Sequence, residues 1–334
     1  MISKTAGTWH PTAWQTALAQ AIRDPARLLQ ELRLPIALLP AAQAAARQFP
    51  LRVTRSYLRR IRPGDPQDPL LRQVLPLAEE CVSAPDAVTD PVGDLNAMPS
   101  PGLLHKYHGR ALLVATGACA IHCRYCFRRH FPYARSNPLH QHRQASLDYL
   151  REHPEVEELI LSGGDPLSLS DAQLSSWIRD CETIPHLQTL RLHTRLPVVL
   201  PERVDDALCH WLTHTRLQKV IVLHVNHALE IDAEVVEAIQ ALHRCGATLL
   251  NQSVLLRGVN DSIETLAQLS RTLFNHGILP YYLHQFDPVQ GAMHFAVPAS
   301  EGQALMSRLR DRLPGYLVPR YVQEIPGMAA KSPL

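Results

Sequence analysis

The chain has 334 residues, 46% of them hydrophobic and 19% charged, with a formal charge of +2. That profile suits a globular protein with a sizeable core, in one large domain or two smaller ones. It argues against a dedicated nucleic-acid surface, and no apolar run approaches membrane-spanning length. The N-terminal stretch up to Pro11 lacks the apolar centre of a signal peptide, so the expected location is the cytoplasm.

Residues 1–85 read as a helical region, with strong helix formers at helical spacing over 25–33 and 41–47. The arginines of 52–62 fall on more than one helix face and read as solvated. Prolines, aspartates and glycines crowd residues 86–104, the composition of a linker or covering loop. Over 105–334 the pattern becomes a repeat. Apolar, strand-like runs begin near Ala111, Glu158, Thr189, Lys219, Thr248 and Leu279. After the first gap they recur about every thirty residues, the size of a strand-plus-helix unit. Helices are expected over 170–181, 201–213, 232–245 and 262–276, with caps at Ser170-Asp171 and Asn260-Asp261. The fold class is therefore α/β, six units forming a parallel sheet that curls into an open (β/α)6 partial barrel.

Directly after the first run stand Cys119, Cys123 and Cys126, at Cys-x3-Cys-x2-Cys spacing. Two readings compete. Three thiolates can hold a cubic iron–sulfur cluster and leave its fourth iron open, or they can bind structural zinc with His122 or His130. The strand ends favour the cluster. Each run finishes in polar residues: Thr116, Ser162-Gly-Gly-Asp165, His193-Thr-Arg195, His224, Asn251-Gln-Ser253 and His284-Gln-Phe-Asp287. Barrel enzymes gather their active sites at that end of the sheet. The four other cysteines, Cys81, Cys181, Cys209 and Cys245, read as buried free thiols.

The three-cysteine loop with Tyr125 at its aromatic position, followed by Ser162-Gly163-Gly164-Asp165, resembles the radical S-adenosylmethionine superfamily. A narrower resemblance covers about residues 90–331. The runs Leu103-Leu-His-Lys-Tyr-His-Gly-Arg110, Cys126-Phe-Arg-Arg-His-Phe131, Leu250-Asn-Gln-Ser-Val-Leu-Leu-Arg-Gly-Val-Asn-Asp261 and Tyr281-Tyr-Leu-His-Gln-Phe-Asp287 are similar to lysine 2,3-aminomutases. The resemblance implies a [4Fe–4S] cluster on the three cysteines, S-adenosyl-L-methionine, pyridoxal 5′-phosphate and an external electron donor. It implies that Lys331, seven positions after Glu324, carries the pyridoxal phosphate, with Tyr107 and Arg110 near that cofactor. Ser162, Gly163, Gly164, Asp165, His224 and Gln252 match positions that contact S-adenosylmethionine. Arg128 resembles the residue that pairs with the substrate α-carboxylate, whereas Arg124, Arg129 and Arg135 read as surface arginines. The short C-terminus resembles the bacterial branch that makes (R)-β-lysine for elongation factor P, which would link the chain to the enzyme that lysylates that factor. Three features depart from the family: Met328-Ala-Ala330 replaces a glycine run, Glu324 stands where longer enzymes have aspartate, and His284 where they have tyrosine. A catabolic aminomutase is the alternative within this class; a non-catalytic, metal-stabilised binding protein is the alternative outside it.

Charge then bears on the substrate. A lysine fixed through its α-amine leaves an α-carboxylate and an ε-ammonium, and an unpaired ammonium in a water-poor site is costly. Asp287, at the end of the sixth run, and Glu324, just before the Lys331 loop, are the expected anions.

Overall fold

The computed structural model describes residues 12–136 and 142–334. The N-terminal stretch judged for a signal peptide, and the side chain of Arg135, lie outside what is described.

Among the described residues a single nine-stranded sheet runs in strict sequence order. Its strands are β1 (Leu103–Tyr107), β2 (Arg110–Thr116), β3 (Glu158–Gly163), β4 (Thr189–Thr194), β5 (Gln218–His224), β6 (Thr248–Val254), β7 (Leu279–His284), β8 (Arg320–Gln323) and β9 (Ser332–Pro333). The six expected runs are β2 to β7, all parallel, and β8 continues them. β1 and β9 pair antiparallel at the two edges and do not meet, so the barrel stays open. The three added strands were hard to read for separate reasons. β1 mixes His and Lys into its run and joins β2 through the tight His108-Gly109 turn, where Gly109 has φ +78°. β8 is four residues long and β9 two, too short for a periodic signal.

Helices Asp171–Glu182, Ala233–Arg244 and Ile263–Asn275 lie where expected, but the predicted 201–213 segment splits into a 3₁₀ turn and a helix over Asp206–His214. Ser170 caps its helix by accepting from the Gln173 amide. At the later helix the cap is Ser262, not Asn260-Asp261. Asn260 is instead fully buried, and its amide donates to the Asn226 and Val254 carbonyls.

The N-terminal helices pack into the same hydrophobic core as β2 to β6. Their connecting segments grip the three-cysteine loop. The His122 amide donates to the Arg52 carbonyl at 2.9 Å and the Arg124 amide to the Gln73 carbonyl at 2.9 Å. Arg124 and Arg129 are not surface groups: both pair with the buried Glu80 carboxylate and lie over the Phe49 ring. Nor is the 52–62 run wholly solvated, since the buried Arg60 guanidinium donates to the Val198 carbonyl at 2.6 Å. Cys81 also departs from expectation and is exposed, whereas Cys181 and Cys245 are buried.

The proline-rich 86–104 segment lies across the sheet's C-terminal end. Val88 pairs with Val289 beyond β7, its amide donating to the Pro288 carbonyl at 3.0 Å. This docking carries Asp94 inward until it is only 2% exposed.

Candidate active site

The sixteen residues expected to hold the cluster, the cofactors or the substrate all line one cavity of about 520 Å³ at the C-terminal end of the sheet. The strand register explains the convergence. Thr116 pairs with Gly163 and His224 with Gln252, so successive strand ends deliver their polar residues to one level.

Cys119, Cys123 and Cys126 occupy one wall. The Gly163-Gly164 pair lets the end of β3 approach them closely: a Cβ on Gly164 would lie 2.4 Å from the Ala118 carbonyl oxygen. Gly163 adopts φ +120°, open to glycine but hardly to other residues. Burial, then the charge of Cys123, pushes the Cys126 thiol up to about 11, and burial raises Cys119 well above its ordinary value too. Such thiols ionise when a cationic centre is seated among them. A cubane takes one iron per thiolate, so its ligands need not meet at a point. Zinc does need that, and among the described residues no three His, Cys, Asp or Glu side chains close around a single ion site. The two histidines considered for zinc are otherwise engaged. His122 Nδ1 faces the Pro50 carbonyl at 2.7 Å and His130 Nε2 the Gln290 carbonyl at 3.0 Å. The donor set fits the cluster.

Asp165 lines the cavity, but its carboxylate is already occupied. It accepts from the Thr194 hydroxyl at 2.7 Å and from the amides of Leu167, Arg195 and Leu196. Burial pushes it up to about 6 against those four donors. It ties the end of β3 to the end of β4. Tyr125 stacks on His224, ring centroids 5.6 Å apart, and its hydroxyl lies 2.9 Å from His224 Nε2. Burial and the nearby Arg195 lower His224 to about 3, so it stays neutral.

A chain of alternating charge also lines the cavity. Arg128 Nε donates to Asp94 at 2.7 Å, Lys106 reaches Asp94 at 2.6 Å and Glu324 at 2.9 Å, and Glu324 pairs with Lys331. Sequence reasoning gave Asp94 and Lys106 no part in this chain of charge. Asp94 was hidden among the polar residues of an apparent linker, and Lys106 sat in an unrecognised strand. Arg128 also donates to Ser162 Oγ at 3.1 Å, which leaves its Nη2 without a protein partner among the described residues. Burial acts to raise Glu324, yet the Lys331 and Lys106 cations hold it down to about 2. Asp287 makes no ion pair with either lysine, and their charges only partly offset what raises it. Burial, then the Glu324 charge, pushes it up to about 7. Arg110 lies over the Tyr107 ring at 4.7 Å. His193 and His284 are held neutral, His284 at about 3, by burial and then by nearby cations, with Lys331 acting on both.

The seven-residue spacing of Glu324 and Lys331 has a simple cause. β8 and β9 form a hairpin with Gln323 opposite Ser332, so Glu324 and Lys331 are the next facing pair. Gly327, at φ +81°, supplies the left-handed residue in the loop between them.

The chain is 48% identical over 322 residues to an L-lysine 2,3-aminomutase of Escherichia coli, covering 96% of this chain and 94% of that one. It belongs to the lysine 2,3-aminomutase family. The member from Buchnera aphidicola is 41% identical over 99% of this chain and 98% of its own length. The enzyme from Clostridium subterminale is 36% identical over 98% of this chain and 78% of its own length. No protein-family model matches. Among solved structures, a radical SAM methyltransferase from Sphaerobacter thermophilus aligns at TM-score 0.44 and 18% identity over 66% of this chain and 68% of that one.

Proposed function

We propose that this aminomutase interconverts L-α-lysine and (R)-β-lysine, using the cluster, S-adenosylmethionine and pyridoxal phosphate in the one cavity. The observation that carries this reading is the convergence of the three thiols, the Gly163-Gly164 strand end and Lys331 on that space. When bound, the cluster with S-adenosylmethionine supplies hydrogen abstraction, and pyridoxal phosphate carries the migrating nitrogen.

The protein's own residues bind, orient and exclude water. Lys331 would hold the pyridoxal phosphate, with Tyr107 and Arg110 beside it. Ser162, Gly163, Gly164, His224 and Gln252 would hold S-adenosylmethionine against the cluster wall. Asp94 and Ser162 fix two nitrogens of Arg128, so its remaining Nη2 can meet the substrate α-carboxylate in a preset direction. At the far end Asp287 receives the ε-ammonium. Glu324 is already matched by two lysines, so Asp287 is the stronger selector. The neutral His193 and His284 add no positive charge that would repel the substrate.

The finer reading is that the product serves the modification of elongation factor P. It rests on the likeness to the short bacterial form, and the mass of that factor in a deletion strain tests it. The activity itself is tested by reconstituting the protein anaerobically with iron, sulfide and pyridoxal phosphate. Reduced with dithionite, it is then given lysine, glutamate and a neutral amino acid with S-adenosylmethionine. Chiral chromatography should show β-lysine and no comparable product from the others; a preference for glutamate would overturn the assignment.

A further inference from the structure

Around the three-cysteine loop, reaching the cavity at Arg195, lies a buried polar network that none of the roles above uses. Its centre is Arg195, the first residue after β4, which is 6% exposed. Its Nη1 lies 2.7 Å from Cys123 Sγ and 2.8 Å from the Tyr125 hydroxyl. Its Nη2 donates to Gln73 Oε1 at 2.7 Å and Glu230 Oε2 at 2.8 Å, with the Tyr57 hydroxyl at 3.4 Å. Glu230 is fully buried, and its second oxygen accepts from the Asn226 and His227 amides and the Gln73 side chain. The orientation of the guanidinium is set from three parts of the chain. Asp165 accepts from the Arg195 amide, Gln73 and Tyr57 come from the N-terminal region, and Glu230 follows β5.

A full positive charge that touches a cluster sulfur stabilises the more negative, reduced state of the cluster. In this low-dielectric wall the effect is little screened. Glu230 opposes it from the far side of the same guanidinium. Of the three thiols, Cys123 is the one Arg195 touches, so one edge of the cluster would be biased. We propose that Arg195 is a positioning and tuning residue that sets the reduction potential of the cluster through its contact with Cys123, with Glu230 as the opposing charge. This rests on the reading of Cys119, Cys123 and Cys126 as cluster ligands.

The test is an EPR-monitored redox titration of the reconstituted protein, with iron and sulfide content measured first. Wild-type protein that takes up no cluster would overturn the ligand reading itself, separately from this proposal. With the cluster present, Arg195→Gln should disfavour reduction about tenfold, a drop of ~59 mV for a one-electron couple. Glu230→Gln should move the potential the opposite way, and Arg195→Lys should fall between Arg195→Gln and wild type. Opposite shifts from two variants of one network distinguish electrostatic tuning from a packing defect. Unchanged potentials, shifts of the same sign, a loss of S-adenosylmethionine affinity at constant potential, or failure of all three variants to hold a cluster would each overturn the proposal.

Discussion

At the residue scale, the two carboxylates near Lys331 divide their work by environment. Glu324 is ionised and matched, whereas Asp287 sits near about 7 and waits for a partner. Only ionised Asp287 can pair with an ammonium, so kcat/KM for lysine should rise with pH through roughly 7, the free-enzyme value that kcat/KM reports. Asp287→Asn should remove that rise. Breaking a buried charge pair costs about 3–5 kcal/mol, so the same change should lower kcat/KM by roughly two to three orders of magnitude. The stability effect has its own sign. Folded Asp287 keeps a proton that the unfolded chain has lost between the ordinary carboxylate range and about 7, so its contribution fades as pH rises through that window. Glu324→Gln should behave differently. It unpairs Lys331 and leaves Lys106 to Asp94 alone, so the visible absorbance of lysine-bound pyridoxal phosphate should weaken, while Asp287→Asn leaves it intact. Lys331→Ala should abolish that absorbance and keep the cluster, and Cys123→Ala should lose the cluster. Borohydride fixing cofactor to the Lys331→Ala protein would contradict the assignment.

At the element scale, the N-terminal region holds the cysteine loop from outside. Its grip runs through backbone bonds from His122 and Arg124 and through Glu80, which faces two arginines at once. Glu80→Ala would leave Arg124 buried without its carboxylate, a loss of about 3–5 kcal/mol in denaturant unfolding. A measured change within ~0.5 kcal/mol, the range usual for surface sites, would refute the grip. This role was not legible in the sequence. The arginines at 124 and 129 look like surface charge until Glu80 and Phe49 are seen beneath them, and that contact spans more than forty residues. The strands β2 to β7 were legible because each is an apolar run ending in polar residues. β1, β8 and β9 were not, being mixed or short, and their pairing is set by the edges they close.

At the scale of the whole molecule, the site residues were legible where a motif carried them: the cysteines, the Ser162-to-Asp165 strand end and the Glu324–Lys331 spacing. Arg195 was legible as a strand-end residue but not in its role, and Asp94 and Lys106 were given no part in the site, because each acts through partners far away in the chain. Asp94 reaches the cavity only because the 86–104 segment docks beyond β7. Arg195 acquires its environment from Gln73, Cys123 and Glu230 together. The sheet thus gathers one set of strand ends from the 105–334 region, while the N-terminal region and the docked segment complete the walls.

The central claim is that one cavity moves nitrogen from the α- to the β-carbon of a single lysine molecule. Lysine labelled with 15N at the α-amine and 13C at the β-carbon, mixed with unlabelled lysine, tests it by NMR of the product. The account predicts β-lysine in which 15N is bonded to 13C, with no 15N in product lacking 13C. Crossover of 15N into unlabelled β-lysine, or no β-lysine from protein with a full complement of cluster and pyridoxal phosphate, would contradict it.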